Sequence, residues 1–180
     1  MAEAPSLFGE LYGAMLFRNA DGQTPLIRSG RKLKIVSHFH DLPNESEKMT
    51  LLVATIHEGD RELVQAIVDN GGVAIDQAGT AGKTLLYHAA IEEEPDLKLI
   101  SYLLSKGADP DRDDILRDAV FEGKNPDVVK LLVRSVRDYS KEHDLAQSKG
   151  LTEIARVFDG ETIRRELERG GLRSAFSDVC

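Results

Sequence analysis

The 180 residues include one cysteine, Cys180, and no tryptophan. A lone cysteine excludes an intramolecular disulfide and a thiolate metal cage, and it points to a reducing compartment, the cytoplasm or the nucleus. Aromatic residues are only 6% of a chain that is 41% hydrophobic. Its interior must therefore be built from Leu, Ile, Val and Ala, a composition that favours closely packed helices. No apolar run approaches the roughly 18 residues of a membrane span. The opening MAEAPSLFGELYGAMLF, with Glu3 and Glu10 and no basic start, does not read as a secretory leader. Cys180 lacks the three residues that follow a prenylated cysteine, so residues 171–180 are expected to be a flexible tail with a free thiol.

Basic residues are outnumbered, and the imbalance is local. The net charge is -8, with 17 Lys+Arg against 25 Asp+Glu in residues 46–170 and equal numbers of each sign on either side. An acidic body repels nucleic acid, and no nucleic-acid or membrane partner is expected. A basic peptide or protein surface is the better electrostatic match.

What the chain does have is internal repetition. A small residue recurs at Thr55, Ala89, Ala119 and Ala146, spaced 34, 30 and 27 residues apart, and glycine follows at Gly59, Gly123 and Gly150. Each unit divides by apolar periodicity into a short helix, such as Leu51 to Glu58 or Ile115 to Glu122, and a second helix with a stronger stripe. The stripes are Leu63, Val64, Ile67 and Val68, then Leu99, Ile100, Leu103 and Leu104, then Val128, Val129, Leu131 and Leu132. Thr84 is placed to cap a helix, the glycines to end one in the left-handed conformation, and Pro95 and Pro126 to stand at the start of second helices. The spacing predicts an all-α repeat solenoid of about four helix-turn-helix units.

Gly82-Lys83-Thr84-Leu85-Leu86-Tyr87-His88-Ala89-Ala90 and the unit ending Leu103 to Asp109 resemble the ankyrin repeat family. Leu85 stands where the family has proline, Tyr87 where it has histidine, and no Gly-Ala-Asp ending follows Val133. The resemblance covers residues 46–170. DGETIRRELERGG is expected to be a capping helix with Ile163 and Leu167 turned to the array, because a terminal unit needs a polar outer face. Residues 1–45 fit either a β-hairpin at Asp21-Gly22 followed by a strand over 33–39, or a degenerate repeat at Thr24-Pro25-Leu26.

Sites of chemistry are sparse. Gly82-Lys83-Thr84 imitates the end of a phosphate-binding loop, but position 77 is glutamine, not the required glycine, and no convincing strand precedes it. Asp109 to Asp114 imitates a calcium loop, yet Asp114 occupies the turn-glycine position and Val120 that of the bidentate glutamate. His38 and His40 would share one face of a strand, without further ligands nearby to complete a metal site. No catalytic residue, metal or cofactor is assigned.

The resemblance implies a non-enzymatic protein-interaction module, a scaffold that binds a protein partner through its concave face. Mapped onto this chain, the projecting turns carry Gln77, Thr80, Lys83, Arg112, Asp113 and Asp114. The exposed ends of first helices carry His57, Glu58, Glu92, Glu93, Phe121 and Glu122. Lys83 is expected to be an exposed turn residue, and Phe121 is either an anchor or core. The alternatives are a small metal-binding or enzymatic protein that uses the His38/His40 segment docked on the array, and a homo-oligomerising structural protein such as a homodimer.

Overall fold

The computed structural model describes residues 39, 41–42, 45–71, 73–79 and 82–169. Eight α-helices and no strand occur among them: α1 (Glu45–His57), α2 (Arg61–Asp69), α3 (Leu85–Ile91), α4 (Leu97–Ser105), α5 (Ile115–Phe121), α6 (Pro126–Val133), α7 (Ser140–Ser148) and α8 (Thr152–Arg169). They form four consecutive pairs, an all-α repeat array. The chain divides into two compact units, Met1–Ala108 and Asp109–Cys180. In the first unit α1 packs on α2 and on α3, while α4 packs on α3 and α2. In the second, α5 packs on α6 and α7, and α8 on α7 and α6. Each unit is thus a layer of first helices against a layer of second helices.

The recurrent small residue and glycine have one structural cause. In three pairs the glycine four residues after the small residue has positive φ, +72° at Gly59, +64° at Gly123 and +69° at Gly150. That conformation turns the next N–H back onto the carbonyl of the small residue: Asp60 to Thr55 at 3.1 Å, Lys124 to Ala119 at 2.9 Å and Leu151 to Ala146 at 2.9 Å. This closure stops the first helix and aims the chain into the second. The small side chains themselves are buried, which lets neighbouring helices approach. In the second pair Ala89 is followed four residues on by Glu93, and the helices are joined by the longer stretch 92–96.

Three of the four second helices begin on side-chain caps. Asp60 accepts from Leu63 N at 2.9 Å, Asp96 from Lys98 N at 2.8 Å, and Asn125 from Asp127 N at 2.8 Å. Pro126 is the first residue of α6, as expected. Pro95 instead precedes the Asp96 cap, because the carboxylate accepts the orphan N–H groups that a first-turn proline would have removed.

The stripes form the interior: Leu63, Val64 and Ile67, then Leu99, Ile100 and Leu103, then Val128, Val129 and Leu132 are all buried. Val68, Leu104 and Leu131 lie at the stripe edges and are half-buried.

Three further expectations change. α1 begins at Glu45 rather than Leu51, since nothing in ESEKMT breaks a helix and Glu45 and Glu47 suit its positive N-terminal end. The strand expected over 33–39 does not reach Phe39, which is helical and accepts from Leu42 N at 3.3 Å; both side chains are buried. The remainder of 1–38, with the hairpin and the degenerate-repeat alternatives, lies outside the described residues, as does the tail with Cys180. Finally, DGETIRRELER is no separate helix but the continuation of α8 through Gly160, and Ile163 and Leu167 are 57% and 53% exposed rather than turned to the array. Phe158 and Glu161 take the inward positions instead.

Candidate functional site

GKTLLYHAA resolves into a capped helix. Thr84 accepts from Tyr87 N at 3.4 Å, and Leu85, in the place of proline, is fully buried beside Leu86. Ala89 and Ala90 are buried too. No strand occurs before it among the described residues, so the context that a phosphate loop requires is missing.

In the first unit, the ends of α1 and α3 bring several of the expected residues together. His57 Nδ1 lies 2.5 Å from Glu92 Oε1, and the His57 ring meets His88 edge-on with centroids 6.1 Å apart. Tyr87 meets His88 at 5.9 Å, and Lys83 Nζ stands 4.2 Å from the Tyr87 ring centroid. Lys83 is half-buried rather than exposed, with its ammonium over that ring. Gln77 donates from Nε2 to Glu45 at 3.0 Å. That contact, with Lys48, holds the Glu45 carboxyl below its ordinary range, Lys48 first and Gln77 second. Glu58 is half-buried and Glu93 exposed. Thr80 lies outside the described residues.

In the second unit, Phe121 ends α5 with 60% of its surface exposed. Lys149, just after α7, donates from Nζ to the Phe121 carbonyl at 2.8 Å and lies 3.9 Å from the ring centroid. Glu122 is exposed and pairs with Lys124 at 3.3 Å. The turn before α5 exposes Arg112 and Asp114 with Asp113 half-buried, and both aspartates are left-handed, φ 62° and 57°. Asp tolerates that region better than most residues, at some cost.

The two clusters share a register. His57 follows its small residue by two positions and meets Glu92, three after the next small residue. Phe121 and Lys149 stand at the same two offsets. A family model described as Ankyrin repeats (3 copies) matches residues 10–114. The chain belongs to the ankyrin repeat family. No curated protein and no solved structure matches it. Ankyrin repeats are generally protein–protein interaction modules.

The ankyrin match ends at residue 114, while helix pairs of the same form continue to Arg169. Tyr87, His88 and Lys149 were missed as surface residues by sequence reasoning. Only the shared offset between neighbouring units points to Lys149, and His88 belongs to a different repeat from His57. His38 and His40 lie outside the described residues. Among those described, no group of three or more His, Cys, Asp or Glu is placed to hold a metal. No described helix is long and apolar enough to cross a membrane.

Proposed function

We propose that this ankyrin array is a non-enzymatic interaction module whose turns and first-helix ends bind a protein partner with a basic surface. The observation that carries the proposal is Phe121, a large apolar side chain held in solvent beside Glu122. An exposed aromatic with a charged rim is the arrangement that anchors interfaces, since the ring loses water on binding while the rim sets orientation. The exposed carboxylates of Glu93 and Asp114, with Asp113 and Glu92 beside them, supply steering toward lysine and arginine.

The test compares the full chain with two variants as bait in affinity capture followed by mass spectrometry. One variant carries Glu92, Glu93, Asp113 and Asp114 changed to lysine, and the other carries Phe121→Ala. Both are expected to keep the helical circular dichroism and to lose a common set of basic partners. The same partners retained by a correctly folded charge-reversed bait would overturn the proposal.

A further inference from the structure

In the Asp109–Cys180 unit, α6 and α8 lie side by side in the layer of second helices, and a groove of ≈ 350 Å³ runs between them. Lys130 of α6 and Arg134, the residue that caps its C-terminal end, line it together with Arg156 of α8, and Val133 and Val157 add apolar surface. Cavities of this size are at the small end of those that take ligands.

Three features distinguish this groove from an ordinary solvated face. The first is that its cations are uncommitted. Among the described residues, none holds Lys130, Arg134 or Arg156 in an ion pair or side-chain hydrogen bond. The other basic lining residue, Arg164, is already bound to Glu161 at 2.5 Å. With Glu161 so neutralised, Glu153 is the one free acid in the lining, and the groove is net positive in a chain of net charge -8.

The second feature is Gly160. It lies inside an 18-residue helix and lines the groove, where glycine costs about 1 kcal/mol relative to alanine. A Cβ at this position would meet nothing within 4 Å. Packing among the described residues therefore does not require glycine, whereas a ligand's close approach to the backbone would.

The third is spacing. Lys130 lies on α6 and Arg134, its C-cap, keeps helical φ and ψ, so the two are four residues apart and roughly 6 Å along the axis. Same-side residues of an extended peptide, two apart, repeat at roughly 6.6 Å. A carboxylate at every second position would meet Lys130 and Arg134 in turn. Intervening apolar side chains would reach the two valines, and Arg156 would close on the peptide from α8. Arginine favours such planar carboxylate recognition.

We infer that the α6–α8 groove binds an extended acidic peptide segment with carboxylates at alternating positions. The probe is a labelled peptide alternating aspartate and valine, titrated into the full chain by fluorescence anisotropy. A peptide of the same composition with its aspartates in one block serves as the comparison.

Binding of the alternating peptide that weakens with salt is expected, with weaker binding of the block peptide. Arg134→Glu and Arg156→Glu should each weaken it roughly tenfold or more, from the usual worth of a charge-assisted hydrogen bond. Gly160→Leu, a good helix former that fills the groove, should weaken it with circular dichroism unchanged. Leu167→Ala, at an exposed α8 side chain outside the groove lining, should leave it unchanged. Equal binding of the two peptides would overturn the inference, as would unaltered binding in the three groove variants. Displacement of the peptide by inorganic phosphate at comparable charge would identify a small-anion site instead and also overturn it.

Discussion

Lys149 holds Phe121 twice, through its carbonyl at 2.8 Å and over its ring at 3.9 Å. The same side chain thereby covers an orphan acceptor at the end of α5 and props an apolar ring in solvent. An exposed cation–π contact is worth about 0.5–1 kcal/mol. A double-mutant cycle of Phe121→Ala and Lys149→Ala is expected to give a coupling of that size in chemical denaturation. Each single variant should stay folded. Zero coupling would mean that the lysine does not position the ring.

Glu161 is buried between Arg164 and Arg165, at 2.5 Å and 2.8 Å. Hydrogen bonds from Arg164 first, and also from Arg165, pull its carboxyl from 4.5 down to about 2, against the opposing effect of burial. A carboxylate with a lowered folded-state pKa contributes stability above its unfolded pKa, and that stability is lost as pH falls through the folded value. Denaturation profiles should thus lose about 2–4 kcal/mol between about pH 5 and pH 2. Glu161→Gln should flatten that part of the profile and lower stability at pH 7. Arg165 also donates to the carbonyls of Val133 at 2.6 Å and Val136 at 2.8 Å. Arg165→Met is therefore expected to destabilise the end of α6 as well.

Ile163→Lys and Leu167→Lys should each change stability by no more than about 0.5 kcal/mol, because both side chains already meet water. Phe158→Ala, which removes a fully buried ring stacked on Tyr139, should cost about 3–5 kcal/mol. Thermal melts of the three variants distinguish an exposed stripe from a buried one.

Glycines in two settings should respond with opposite sign. At Gly59, φ +72°, nothing crowds an added Cβ, so Gly59→Ala should cost about 1 kcal/mol from backbone strain alone. Gly160 is helical with equally open space. Gly160→Ala should gain about 0.5–1 kcal/mol. Urea midpoints measured side by side check the pair.

The repeat frame was legible because one hydrogen-bonded closure imposes it on the sequence. A small residue with glycine four later marks the end of a first helix at Thr55, Ala119 and Ala146, and the stripes beyond mark the core. The continuity of α8 was harder to read, since Asp159-Gly160 looks like a stop. Phe158 and Glu161 anchor the helix on both sides of the glycine, Phe158 by stacking on Tyr139 and Glu161 by holding Arg165, which donates to the Val133 carbonyl, and those distant partners are invisible in the local sequence. The candidate positions came from the resemblance, and their pairings could not be read from the sequence. His57 with Glu92 and Phe121 with Lys149 each join two neighbouring helix pairs within one unit. Lys130, Arg134 and Arg156 read individually as solvated charges, and only the packing of α6 on α8 assembles them around a cavity.

The second pair lacks the glycine closure, and this gives the array a natural splice point. Elsewhere a backbone bond closes the five residues that follow the small position, so an insertion among them would break it. Between Ala89 and Asp96 no such bond sets the count, and Glu93 and Glu94 face solvent. A reporter or binding sequence grafted there would lengthen a connection without changing either helix it joins.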